Sequence, residues 1–259
     1  MDRLTTVSRL CQRSLGRRAR RSTRAAIARV AVCACAAILC AVPVQASSPA
    51  SVTVAAPLAA TLSGHSDPSP AAVDLSQEGT SDWVHWGRLD AYSVDRKSGG
   101  DQIGRLVILG AGPVAQDTTS PTRYSWTGGA PTTSISDTAG STPTVSISDT
   151  ATGISVTGVG SGFRLHVPAR VGVSILRVYV GVSGGRGLFT ATLGHRVRPA
   201  YSDHSFLYTY TRGASNASNA VYTLTYRSAS ITVDWTLLQS NGHGSVTVQA
   251  ATLRTVAGV

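Results

Sequence analysis

The residues of this chain best equipped for chemistry lie in one stretch, Asp74-Leu75-Ser76-Gln77-Glu78-Gly79-Thr80-Ser81-Asp82-Trp83-Val84-His85-Trp86-Gly87. It holds two of the four tryptophans, one histidine and three carboxylates. On a strand, Trp83 and His85 project to one side, Val84 and Trp86 to the other. Aromatic rings beside a carboxylate and an imidazole suit sugars. The C–H face of a pyranose stacks on indole while Asp82 and His85 bond its hydroxyls. Core packing of both tryptophans, with Asp82 holding a turn, accounts for the same residues, because tryptophan is usually largely buried. Trp126 is the better surface candidate. It enters the loop Thr127-Gly128-Gly129-Ala130-Pro131, and loops carry binding more often than strands do. Trp235, in mid-alternation, reads as core.

Catalytic arrangements are harder to find. Gly181-Val182-Ser183-Gly184-Gly185 matches the spacing of a nucleophile elbow, which requires a helix after the serine. The following Gly187–Leu193 reads instead as a strand, placing Ser183 in a hairpin turn. Glycoside hydrolysis needs two carboxylates across a cleft, so Glu78 would have to face an aspartate about 5 to 10 Å away. Spacing alone selects no such pair. His65, His166, His195, His204 and His243 are scattered, with no helical i, i+4 pair. Asp95 to Asp101, around Gly99 and Gly100, lacks the ligand density of a calcium loop. It reads as a solvated turn, and no metal or cofactor is expected.

The elements that must position these residues are strands. Leu176, Val178, Val180 and Val182 share one face, as do Tyr222, Leu224 and Tyr226. Ile231, Val233, Trp235 and Leu237 alternate with Thr232, Asp234 and Thr236, and Val246, Val248 and Ala250 repeat the pattern. Period-two alternation bounded by Gly, Ser and Asn is the mark of half-buried strands. Turns are expected at Ser183-Gly184-Gly185 and Asn241-Gly242, and a hairpin across Ser228 to Ser230. Roughly ten to twelve strands without intervening helices predict an all-β fold, a two-sheet antiparallel sandwich of the jelly-roll kind. An up-and-down barrel is the alternative. The hexapeptide Ser134–Ala139 recurs at Ser146–Ala151, a duplication too short for a solenoid.

Charge and cysteine separate this domain from a leader. The chain carries +10, but nine arginines, from Arg3 to Arg29, precede residue 30; the remainder has 14 basic and 12 acidic residues, a net +2. That leaves no basic stripe for nucleic acid. All four cysteines (Cys11, Cys33, Cys35, Cys40) also fall in the first forty positions, so the later domain has no disulfide and no thiol nucleophile. The arginines run into an apolar stretch, Val30–Val42, followed by Pro43-Val44-Gln45-Ala46. This is the form of a secretory signal peptide cleaved after Ala46. The run is shorter than the roughly 20 residues of a membrane-spanning helix. Residues 47–72, rich in Ala, Ser and Pro, read as a flexible linker, and 73–259 as the sandwich.

The motif also carries a resemblance. Asp74-Leu75, Glu78-Gly79-Thr80 and Asp82-Trp83-Val84-His85-Trp86-Gly87 are similar to the D-L-x-x-E-G-T-x-D-W-x-H-W-G opening of a family of secreted bacterial β-sandwich modules. Tyr124-Ser125-Trp126-Thr127-Gly128-Gly129-Ala130-Pro131 resembles the S-W-x-G-G-x-P segment of that family, and Val246–Leu253 its closing strand. The likeness spans residues 73 to 254. Members stand alone or beside carbohydrate-active domains, and the resemblance implies a galactose-binding-like module. Asp82, Trp83, His85, Trp86, Tyr124 and Trp126 are then the residues expected to meet carbohydrate. The expected role is a secreted, non-catalytic sandwich recognising a glycan or another cell-envelope component, without stable membrane insertion. The alternatives are a structural or adhesive envelope protein that binds other proteins, in which every tryptophan is core, and an extracellular hydrolase.

Overall fold

Strict alternation produces long strands here, and the longest two organise the rest. The computed structural model describes residues 59–135, 150–196, 198–205 and 217–256. The expected signal peptide, the first part of the expected linker and most of the duplicated hexapeptide lie outside the described residues. In chain order the elements are β1 (Thr61–Pro68), β2 (Ala72–Asp74), α1 (Leu75–Glu78), β3 (Asp82–Trp86), β4 (Val94–Lys97), β5 (Val107–Leu109), β6 (Val114–Asp117) and β7 (Arg123–Ser125). They continue as β8 (Gly129–Ala130), β9 (Gly153–Thr157), β10 (Gly162–Val167), β11 (Val173–Leu193), β12 (Tyr201–Asp203), β13 (Ala217–Arg227) and β14 (Ile231–Val256). Twelve strands form one antiparallel sheet whose main path is β1-β13-β11-β14-β3-β4-β8; β2 and β7 pair separately, in parallel. Neighbours in the sheet are rarely neighbours in sequence, which rules out an up-and-down barrel. Among the described residues no helix is long and apolar enough to cross a membrane.

Why one sheet makes a two-layer sandwich follows from β11. Tyr222 lies opposite Val178 in the ladder of β13 and β11. Phe189, farther along β11, would stand about 36 Å from Val178 on a straight strand. Yet the Phe189 and Tyr222 rings stack at 3.8 Å with 9° between their planes. The strand therefore folds back over itself between Gly181 and Gly187. Both halves stay paired with β14, with register shifts at Ser183/Gly185 and Arg186/Gly187. Trp235 fills the inside of the bend: its indole N–H donates to the Gly181 carbonyl (3.2 Å), and a Cβ on Gly187 would sit 1.8 Å from its ring. Such bulged corners are how strands pass from one layer to the other.

Three turn assignments change accordingly. Ser183-Gly184-Gly185 is a corner inside β11 rather than a hairpin, because the residues on either side pair with β14 and not with each other. Asn241-Gly242 likewise lies within β14. Ser228 to Ser230 is not a hairpin either. Tyr226 sits opposite Ser174 while Ile231 sits opposite Leu193, so the segment arches between facing layers, with Ser228 at φ 59°. The antiparallel β-sandwich expected from the alternation is otherwise the fold observed.

The main core lies between the layers and includes Val84, Trp86, Leu176, Tyr222, Phe189 and Trp235. A second core of Val73, Leu75, Trp83, Tyr124, Trp126, Tyr179, Val221 and Ala250 covers the opposite face of the central strands. Alternation explains the division: Trp83, Tyr179 and Val221 point away from their neighbours Val84, Val180 and Tyr222. Thr61–Pro68, expected within the linker, is an edge strand paired along its whole length with β13. It offers the core little beyond Leu62 and is held by its backbone ladder. A polar composition therefore concealed it, and its proline sits at an edge, where a missing N–H does no harm.

Candidate functional site

The motif is built from its caps inward. Asp74 Oδ1 accepts the backbone N–H groups of Ser76 (2.9 Å) and Gln77 (3.1 Å), capping the single turn of α1. That turn aims Glu78 at the sheet. There its carboxylate accepts from the Tyr179 hydroxyl (2.8 Å), the Thr252 hydroxyl (2.6 Å) and Arg177 Nη1 (2.8 Å). Burial and the charge of Glu78 push the Tyr179 hydroxyl up, so it remains a donor at physiological pH. At Gly79 a side chain would strike the Asp82 carbonyl, 2.4 Å from the Cβ position, and the chain enters β3. Asp82 accepts from the Trp83 N–H and from the Ile103 N–H, both at 2.8 Å, with Arg96 Nη2 at 3.7 Å. On the next strand Asp95 takes Arg88 Nε (2.7 Å) and the Thr132 N–H (3.1 Å). These carboxylates tie loops to β3 and β4; buried acids need that many partners.

All six residues expected to meet carbohydrate are buried, none more than 3% exposed. The structure brings four of them together: Trp83, His85, Tyr124 and Trp126 form one ring cluster in and beside the second core. Trp86 turns into the main core, and the Asp82 carboxylate, on the same face of β3 as Trp86, bonds Ile103. His85 lies 5.1 Å from the Tyr124 ring and 5.5 Å from the Trp126 ring, and Trp83 is 5.5 Å from Trp126. The His85 Nε2–H donates to the Thr150 carbonyl (3.2 Å). Burial lowers its pKa from 6.5 to about 4, leaving the ring neutral. The Tyr124 hydroxyl donates to Gln249 Oε1 (3.0 Å).

Trp126 overturns its surface assignment. The loop after it folds back, so that Trp126 and Ile135 exchange two backbone hydrogen bonds at 3.0 Å and the indole N–H donates to the Thr132 carbonyl. Gly129 then lies against the ring, where a Cβ would come within 2.8 Å. The tryptophans are core throughout.

A cleft of about 560 Å³ does hold Glu78 with Asp67 and Asp74. Asp74 is occupied as a cap and Glu78 by three donors, while Asp67 is exposed and bonded to His65 at 3.2 Å. Among the described residues no three His, Cys, Asp or Glu side chains converge as metal ligands. The Asp95 to Asp101 segment, expected as a solvated turn, is one only after β4. Asp95 to Lys97 are strand with Asp95 buried, and the turn follows at Ser98-Gly99, with Gly99 at φ 72° and the Gly100 N–H on the Lys97 carbonyl.

A larger opening lies elsewhere. β4 follows β3 against the second half of β14, whereas β5 follows β10 against the first half, so β4 and β5 edge facing layers. Between them opens a groove of about 660 Å³, floored by Val84, Trp86 and Ile154 and walled by Val94, Arg96, Leu106 and Ile108. At its rim the turn Asp90–Ser93 is fixed by the Ser93 hydroxyl and the Asp90 carboxylate, which accepts the Tyr92 N–H (2.7 Å). This turn lifts Tyr92 to 81% exposure. Val94, Val107 and Ile108 are also exposed. No carboxylate lines the groove, but two arginines, Arg96 and Arg105, do. Of the six expected residues only Trp86 touches it. The sequence feature that could have pointed here is Leu106-Val107-Ile108-Leu109, an unbroken apolar run between Arg105 and Gly110.

No protein-family model matches the chain, and no curated protein matches it. Among solved structures it is similar to the enzymatically active domain of tailspike protein 4 of bacteriophage CBA120, at 9% identity over 60% of this chain and 20% of that one, with a TM-score of 0.30. It is also similar to the Stig cyclase Fisc of Fischerella sp. TAU, at 9% identity over 67% of this chain and 84% of that one, with a TM-score of 0.30. The chain spans a fifth of the tailspike chain, and at these TM-scores neither likeness carries an argument.

Proposed function

We propose that this chain is a secreted, non-catalytic β-sandwich that binds another protein of the cell envelope through the groove between β4 and β5. One observation carries the reading: the tryptophans that would have served a sugar are core, while a sizeable apolar groove stands open at the sandwich edge. Exposed apolar patches rimmed by an aromatic ring and arginines mark protein contacts more often than they arise by chance. The basic, apolar leader supports export. The motif carboxylates are engaged as structural ties, which favours binding over hydrolysis.

Carbohydrate recognition is the second reading, favoured by Tyr92, whose exposed ring could stack on a sugar in a groove that Arg105 also lines. The full chain incubated with envelopes of the producing cells separates the two. Binding that is lost after protease treatment and kept after periodate oxidation is the expected result. Binding that periodate abolishes would replace the protein partner with a glycan.

A further inference from the structure

We infer that the partner binds by strand addition: an extended apolar segment of it pairs with the free edge of β5, and a carboxylate beside that segment meets Arg105. This rests on the protein-binding reading above and specifies its partner.

The first support is an unprotected edge. Among the described residues β5 pairs with β10 alone, so one side of its backbone is left without a ladder. Folded proteins normally blunt such edges with charge, proline or polar side chains. Another edge of this sheet does so: β1 reads Thr-Leu-Ser-Gly-His-Ser-Asp-Pro. β5 does not. Among the described edge strands of three or more residues, it alone carries no polar side chain, and Val107 is 50% exposed. A run of exposed apolar residues without a functional reason is a fault that folding sequences avoid.

The second support is charge. Arg96 is committed, donating to the Ile103 carbonyl (2.7 Å) beside Asp82. Arg105 makes no side-chain hydrogen bond or ion pair among the described residues. With no carboxylate in the lining, the groove offers a cation without its counter-charge. Strand addition explains both features. Main-chain pairing supplies the attachment, alternate side chains of the added strand enter the groove beside Leu106 and Ile108, and a carboxylate selects the segment.

The probe is a synthetic peptide of alternating valine and threonine with glutamate at both ends, titrated against the full chain. Fluorescence anisotropy gives its affinity, and hydrogen exchange at Val107–Leu109 gives its position. The expected results are fast exchange in the free chain at the β5 amides that point away from β10, and slowed exchange at those amides with peptide. Affinity should be lost when alternate peptide nitrogens are methylated, and should fall about tenfold when the glutamates become lysines. Arg105→Glu should reverse that charge preference while leaving the fold unchanged. Protection, in the free chain, of the β5 amides that point away from β10 would overturn the inference, since the edge would already be covered by this chain or a second copy. Equal binding of the methylated peptide, or no binding of the glutamate peptide, would overturn it as well. In those cases protease-sensitive envelope binding would still uphold the broader reading.

Discussion

His85 makes the interior of this protein sensitive to acid, by an amount the structure sets. The ring is fully buried between Tyr124 and Trp126, donates from Nε2 to Thr150, and has no partner at Nδ1 among the described residues. A proton can enter only at Nδ1, bringing a charge into an aromatic cluster. Burial therefore lowers the pKa to about 4 from 6.5, against weaker opposing pulls from the backbone of Thr150, from Asp95 and from the backbone of Thr152. In the unfolded chain the ring takes up its proton first as pH falls through 6.5. The unfolded state is favoured progressively from there down to about pH 4, and the contribution is complete above 6.5. That difference amounts to about 3 kcal/mol. Urea denaturation of the chain and of His85→Gln, from pH 7 to pH 4, isolates it. Glutamine can still reach the Thr150 carbonyl but does not titrate, and both proteins share Asp82 and Asp95. The wild type should lose about 3 kcal/mol more than the variant across that window. Parallel stability curves would refute the argument, showing that His85 is hydrated or already charged.

Two further substitutions test the second core and its tie. Trp126→Ala should destabilise the domain by about 3–5 kcal/mol in urea, as truncation of a buried tryptophan does; a loss under about 1 kcal/mol, with the wild-type indole open to acrylamide, would return Trp126 to the surface. Glu78→Gln removes the charge that Arg177 faces and weakens the acceptor of Tyr179 and Thr252. It should cost about 1–3 kcal/mol and speed hydrogen exchange at Leu75, whereas unchanged stability would show that α1 is held by packing alone.

Much of this architecture was readable in the residues, and the rest was hidden for definable reasons. Alternation located β11, β13 and β14 and assigned their faces, including the opposed directions of Trp83 and Trp86, because side-chain direction on a strand depends only on parity. It could not reveal that β11 folds back at Gly184 to Gly187, since a corner and a hairpin use the same glycines and differ only in which strand is paired. Trp126 was misplaced because its cover comes from Thr132 and Ile135, brought over it by a reversal of the chain. The groove escaped notice because β4 and β5 meet through their separate partners on β14, a relation no local pattern records.

The claim that this sandwich works through its groove is tested most directly by equilibrium binding of the full chain and of Tyr92→Ser/Val94→Thr to immobilised envelopes of the producing cells. Both substituted side chains are exposed, so melting temperatures should agree closely. The account predicts binding at least about tenfold weaker in the double variant. Equal affinity at equal melting temperature would contradict it and move the binding surface elsewhere.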